Sequence, residues 1–251
     1  MDFKKNENNQ EKKVALIGCG LIGQAWAISF LSAGFEVSLF DPVEGVTVQS
    51  RKKIVTKLRD LQSYGLLKNK NISDFLDKIH LAQDIQQAIE GSIYVQESGP
   101  EDLGIKKVLT KEIDTATPDN IPIASSTSGI PASLYAVDLK GKDRCLVAHP
   151  INPPHLIPAV EIVPAPFTSE GITQTVKDIM ISIDKEPLEL KKEIPGFVVN
   201  RLQGALLYEA FNLVKEDIAS AEDIDKAISE GLGLRWSFMG PFQTIHLNAP
   251  E

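Results

Sequence analysis

Short apolar runs, bounded by glycine, proline or acidic residues, alternate with amphipathic stretches along most of this chain. The runs at 14–17 (VALI), 36–40 (EVSLF), 79–82, 93–97 (IYVQE), 121–124, 145–148, 158–163 (PAVEIV) and 187–190 read as short strands. The stretches 24–31 (QAWAISFL), 43–67, 72–79 and 84–90 read as helices or helical turns. Asp102 is placed to cap a helix running to about Ala116, and Thr168 or Ser169 to open another. Strands alternating with helices imply an α/β fold of Rossmann type, a doubly wound parallel sheet. Near Pro195-Gly196 the alternation stops. Residues 197–214 are apolar almost all round at helical spacing, so that helix is expected to be buried between partners. A second helix at 220–230 has Ser220 as its cap and Gly231 and Gly233 to end it, and a short last helix follows Pro241. The expected organisation is a disordered polar tail (1–12), a nucleotide-binding domain (13–194) and a small all-helical domain (195–251).

The first strand runs into Gly18-Cys19-Gly20-Leu21-Ile22-Gly23, a G-x-G-x-x-G turn with a helix behind it. Gly18 allows the tight turn, Gly20 lets a pyrophosphate approach the backbone, and Gly23 lets helix pack closely on strand. The helix start offers unpaired N–H groups and a positive dipole end to the phosphates. The second strand ends in Asp41, placed to hydrogen-bond the ribose hydroxyls of an adenosine. Pro42 follows and no arginine is adjacent to hold a 2′-phosphate, so the spacing favours NAD over NADP.

The chain has 251 residues, 43% hydrophobic and 24% charged, as in an ordinary globular protein. A net charge of -8 argues against nucleic acid as the main partner, because phosphate binding needs a basic face. Cys19 and Cys145 have neither a disulfide framework nor metal-ligand spacing, which suits a reducing compartment. No signal-peptide pattern and no bilayer-length apolar run is present, and a cytoplasmic location is expected. Arg51, Lys52, Lys53 and Lys57 read as a solvated helix face, or as a patch for a phosphorylated substrate such as a coenzyme A ester.

In such sheets ligands lie beyond the carboxyl ends of the strands, where Glu97, Ser126, Ser128 and the segment after residue 148 should face one crevice. That segment, His149-Pro150-Ile151-Asn152-Pro153-Pro154, is stiffened by three prolines. Glu161, in an apolar strand, would be costly to bury without a partner such as the His149 imidazole. A carboxylate on one ring nitrogen fixes the tautomer and leaves the other to take a proton from an alcohol. The pair therefore points to alcohol dehydrogenation, with hydride leaving for a nicotinamide. Ser128 and Asn152 can donate to the reacting oxygen or the nicotinamide amide, or serve the turns they sit in. Asn200 lies inside a predicted helix, a poor place for asparagine unless its side chain acts elsewhere. Arg235 can grip a substrate carboxylate in bidentate fashion, or form a surface ion pair.

The segments SSTSGIP, AHPINPPHLIPAVEIV, PGFVVNRLQ and EGLGLRWSFMGPF, with the glycine turn, resemble the 3-hydroxyacyl-CoA dehydrogenase superfamily over nearly the whole chain after the tail. The resemblance implies His149 as base, Glu161 as its partner, and Ser128 and Asn200 as active-site hydrogen bonders. It also implies that Leu21, Ile22, Asp41, Glu101 and Lys106 contact NAD. Arg235, before the M-G-P-F turn, is similar to the arginine of the gulonate and carnitine branches, and acyl-CoA enzymes generally lack it. The implied substrate is a small 3-hydroxy acid, L-gulonate first, with carnitine or a hydroxyacyl-CoA behind it. Similar proteins continue beyond the position of Glu251 with helices that complete a dimer interface. The resemblance therefore implies an incomplete helical domain here, and a homodimer where that domain is complete. A non-catalytic NAD-binding or structural protein is the alternative from another class.

Overall fold

The computed structural model describes residues 12–67 and 71–249. The expected tail therefore lies outside the described residues, apart from Lys12. The chain divides into two compact units after Val198. No helix among the described residues is long and apolar enough to cross a membrane.

The first unit runs β1 (Lys13–Ile17), α1 (Leu21–Ser32), β2 (Glu36–Phe40), α2 (Val46–Ser63), α3 (Ser73–Leu76), β3 (Ile79–Leu81), α4 (Ile85–Ile89) and β4 (Ser92–Glu97). It continues with α5 (Leu103–Ala116), β5 (Ile123–Ser125), α6 (Ala132–Tyr135), β6 (Cys145–Pro150), β7 (Ala159–Pro164), α7 (Glu170–Ser182) and β8 (Glu186–Glu189). The strands form one sheet in the order β3-β2-β1-β4-β5-β6-β7-β8. From β1 the chain winds outward in both directions, so the carboxyl ends of β1 and β4 flank the point where the order reverses. Helices cover both faces. Val14 and Leu16 enter one core with Trp26, Phe30 and Ile162, whereas Ala15 and Ile17 enter the other with Val95, Val147 and Val163. Burial on both faces is why β1 is apolar from Val14 to Ile17 rather than alternating.

One strand departs from the expected all-parallel sheet. β7 pairs antiparallel with β6, setting His149 directly opposite Glu161. The loop at 151–158 is shorter than the crossover of roughly a dozen residues that a parallel pair needs. β8 returns parallel to β7 because α7 supplies that crossover. The caps on α5 and α7 are side-chain oxygens: Asp102 accepts from the Ile105 N–H, and Ser169 from the Ile172 N–H.

The second unit holds α8 (Val199–Lys215), α9 (Ala221–Lys226), a π-helical turn (Ala227–Leu232), α10 (Gly233–Trp236) and α11 (Pro241–Asn248). Two expectations need correction. The segment capped by Ser220 does not stop at Gly231 and Gly233, because the π turn carries it on into α10. Gly233 has ordinary right-handed helical angles (φ -64, ψ -44), and a Cβ there would lie 2.8 Å from the Ile228 carbonyl oxygen. That glycine admits a close approach within the helix and is no left-handed stop. The long helix, expected to be buried, has no buried residue: Leu202 is 63% and Phe211 68% exposed. The other helices of this unit leave it exposed.

Candidate active site

A crevice of about 920 Å³ opens at the reversal point of the sheet. Gly18 and Gly20 line it from the end of β1, Asp41 from the end of β2, and Ser98 and Gly99 from the end of β4. The motif glycines divide by geometry. Gly18 has φ 94°, and a Cβ there would meet the Ser98 carbonyl oxygen at 2.6 Å. A Cβ on Gly23 would sit 2.0 Å from the Gly18 carbonyl oxygen, whereas one on Gly20 would meet nothing within 4 Å. Two of the glycines thus let backbone pack on backbone, and Gly20 leaves open space over the start of α1, the room a pyrophosphate needs. Leu21 is exposed and Ile22 half-buried at that helix start. The Asp41 carboxylate accepts from the Cys19 N–H at 2.9 Å and the Val43 N–H at 3.0 Å, which fixes it at the crevice rim. Cys19 lies inside this loop, but burial first, and then the charge of Asp41, push its thiol up to about 12. It is therefore no thiolate nucleophile at neutral pH.

Farther along the same edge of the sheet, the side chains of β6 and β7 meet. His149 Nδ1 lies 2.7 Å from Glu161 Oε2, with the histidine 7% and the glutamate 0% exposed. The other carboxylate oxygen accepts the Val198 N–H at 2.7 Å. Phe197 stacks obliquely on the imidazole, with ring centroids 5.6 Å apart. Its φ of 49° is rare for a bulky side chain and marks a backbone held by its surroundings. Sequence reading set Phe197 as the first residue of the long helix. The helix starts at Val199, and the turn before it belongs to the His149–Glu161 pair.

Beyond β5, one carboxylate gathers a whole turn. Glu101 Oε1 accepts from the Thr127 hydroxyl at 2.6 Å, the Ser128 N–H at 3.0 Å, the Ser128 hydroxyl at 3.3 Å and the Gly129 N–H at 3.2 Å. Lys106 lies behind it, fully buried, with Nζ 3.0 Å from Glu97 Oε2 and 4.0 Å from Glu101 Oε2. The resemblance implies that Lys106 touches NAD; here it is off the crevice surface and its charge faces the two carboxylates. Ser126, next to this turn, accepts from Trp26 Nε1 at 3.0 Å and from Gln96 Nε2 at 2.7 Å. Asn152 is exposed and precedes a cis peptide bond to Pro153. Asn200, near the start of α8, and Arg235, in α10, are exposed on the second unit.

Two family models cover the chain. The 3-hydroxyacyl-CoA dehydrogenase NAD binding domain matches residues 13–194, and the 3-hydroxyacyl-CoA dehydrogenase C-terminal domain matches 196–251. The chain belongs to the 3-hydroxyacyl-CoA dehydrogenase family. A lambda-crystallin homolog of Homo sapiens is 40% identical over 237 residues, which span 94% of this chain and 74% of that protein. An L-carnitine dehydrogenase of Oceanobacillus iheyensis is also 40% identical, over 94% of this chain and 76% of its own length. Among solved structures, an NAD+-dependent 5-formyl-3-hydroxy-2-methylpyridine 4-carboxylic acid 5-dehydrogenase superposes with a TM-score of 0.85. It is 29% identical, and the match covers 96% of this chain and 77% of that one. The family consists of NAD-dependent oxidoreductases acting on CH–OH groups, and the cofactor of its amino-terminal domain is NAD.

Proposed function

We propose that this chain oxidises the 3-hydroxyl of a small hydroxy acid with a free carboxylate, L-gulonate to 3-dehydro-L-gulonate before others. The observation that carries the reading is the buried His149–Glu161 pair, with its 2.7 Å contact on the cofactor edge of the sheet. NAD, when bound, accepts the hydride. The glycine turn with Leu21, Ile22 and Asp41 would hold its adenosine and pyrophosphate, and Glu101 would face it from the side of α5. His149 carries its proton on Nδ1, toward Glu161, so Nε2 is the nitrogen that takes the hydroxyl proton. Glu161 keeps the ring oriented and offsets the charge it gains. In the reverse direction the imidazolium stabilises the developing alkoxide. Ser128 and Asn200, with Asn152, are the donors assigned to the reacting oxygen.

Arg235 is assigned to the substrate carboxylate, a group that L-gulonate and carnitine both carry. Arg235→Ala is expected to raise the KM for L-gulonate by roughly 10–100-fold with a smaller change in kcat, as loss of a charge-assisted pair implies. Unchanged gulonate kinetics would remove the clamp. Asp41→Ala is expected to weaken NAD by about tenfold or more through loss of its charged hydrogen bonds; NADH fluorescence titration measures this. An unaltered dissociation constant would contradict the ribose assignment.

The deciding assay follows NADH formation with L-gulonate, L-carnitine and 3-hydroxybutyryl-CoA. Turnover of the free acids supports the reading, with L-gulonate preferred. Turnover of the CoA ester alone overturns the substrate class. Normal NAD binding without turnover of any of them makes this a non-catalytic NAD-binding protein, a reading that the likeness to lambda-crystallin allows. A cytoplasmic location and, where the helical domain is complete, a homodimer complete the proposal: both cysteines are buried free thiols, and a second copy would cover Tyr208 and Phe211 on α8.

A further inference from the structure

Glu97 has no part in the proton and hydride steps, yet it is among the most buried charged groups of the first unit, at 1% exposure. It ends β4, and each of its carboxylate oxygens meets donors from different elements. Oε1 accepts the Gly99 N–H at 2.5 Å and lies 3.2 Å from Lys106 Nζ. Oε2 accepts the Ser125 hydroxyl and lies 3.0 Å from the same Nζ. Gly99 lines the floor of the crevice, and a Cβ there would stand 2.9 Å from Glu97 Oε1. The carboxylate is thus tucked directly beneath the crevice. Taking two charges out of water is costly before their attraction is counted, and an apolar pair of the same volume often serves stability as well. A buried ion pair is therefore weak evidence of a stabilising role.

What the pair does supply is direction. Lys106, held by Glu97, faces Glu101 at 4.0 Å, and Glu101 gathers Thr127, Ser128 and Gly129. We propose that Glu97 is a positioning residue: through Lys106 and Glu101 it fixes the Ser128 turn, and through Gly99 the crevice floor, so that both present one reactive geometry. The inference rests on the dehydrogenase reading above, since it assigns Ser128 to the reacting oxygen.

The test uses the full chain and three variants, Glu97→Gln, Lys106→Met and the double Glu97→Gln/Lys106→Met. Each single variant strands one buried charge and is expected to melt earlier. The double variant removes both charges and is expected to recover the melting temperature. Turnover is expected to stay depressed in all three, on the order of 10²-fold in kcat, because misplacement rather than instability limits it. Hydrogen exchange of the cofactor-free protein gives a second readout. The Ser128, Gly129 and Gly99 amides should exchange faster in the double variant than in the unmutated chain, with the β1 amides unchanged. Turnover that returns with the melting temperature would reduce Glu97 to a structural residue, and unchanged exchange at Ser128 and Gly129 would also overturn the proposal. If the unmutated chain oxidises no substrate, the dehydrogenase reading fails by itself, and exchange alone decides the role of Glu97.

Discussion

His149→Ala is expected to lower kcat by roughly 10²–10⁴-fold, the range over which a positioned general base contributes. NAD affinity should stay within a few-fold of the unmutated chain. The reason lies in the sheet: His149 ends β6, whereas the glycine turn and Asp41 end β1 and β2. The cavity left by the ring adjoins Phe197 and removes one hydrogen-bond partner of Glu161. Some loss of stability is therefore expected, and turnover should be measured well below the melting transition. An equal loss of NAD binding would mean that the imidazole serves the cofactor rather than the alcohol.

Glu161→Gln is the second large effect, and it separates orientation from packing. The Val198 N–H needs an acceptor, so the amide oxygen will face Val198 and the amide N–H₂ will face His149 Nδ1. That forces the imidazole proton onto Nε2, the nitrogen the mechanism needs bare. We expect kcat to fall by about 10²–10⁴-fold, as for loss of the base itself, with little change in melting temperature because the shape is kept. Glu161→Ala should lose a similar factor in kcat and also destabilise the fold by roughly 1–3 kcal/mol, because the buried His149 Nδ1 is left without its partner. Wild-type turnover from the glutamine variant would show that the carboxylate does not set the tautomer.

The parts of this molecule that were legible in the sequence are those written locally. Strands buried on both faces are mostly apolar, and three helices carry side-chain oxygens as caps, so the elements around Asp102, Ser169 and Ser220 could be placed from their own residues. The glycine turn is recognisable within six positions, although the Gly18 contact is with Ser98 at the end of β4. The Glu101 hub was not legible from spacing, because Glu101 and Ser128 are 27 positions apart and meet only when β4 and β5 pair. Only the family resemblance pointed to Glu101 and Lys106. Phe197 escaped because an aromatic residue inside an apolar run looks like helix, whereas its positive φ is imposed by tertiary surroundings. The antiparallel β7 was available from loop length, a signal that the alternation of elements obscured. The α8 reading failed at packing rather than at periodicity: the helix forms where its spacing says, and the other helices of its unit leave it exposed.

The central claim is that the His149 imidazole and the hydride-accepting face of bound NAD serve the same carbon. A crystal structure of the chain with NADH and L-gulonate, or an unreactive analogue, tests it most directly. The account predicts His149 Nε2 within about 3.2 Å of the substrate 3-hydroxyl oxygen, with the nicotinamide ring against the adjoining carbon. An imidazole whose Nε2 meets only protein, with the hydroxyl held by another group, would contradict it.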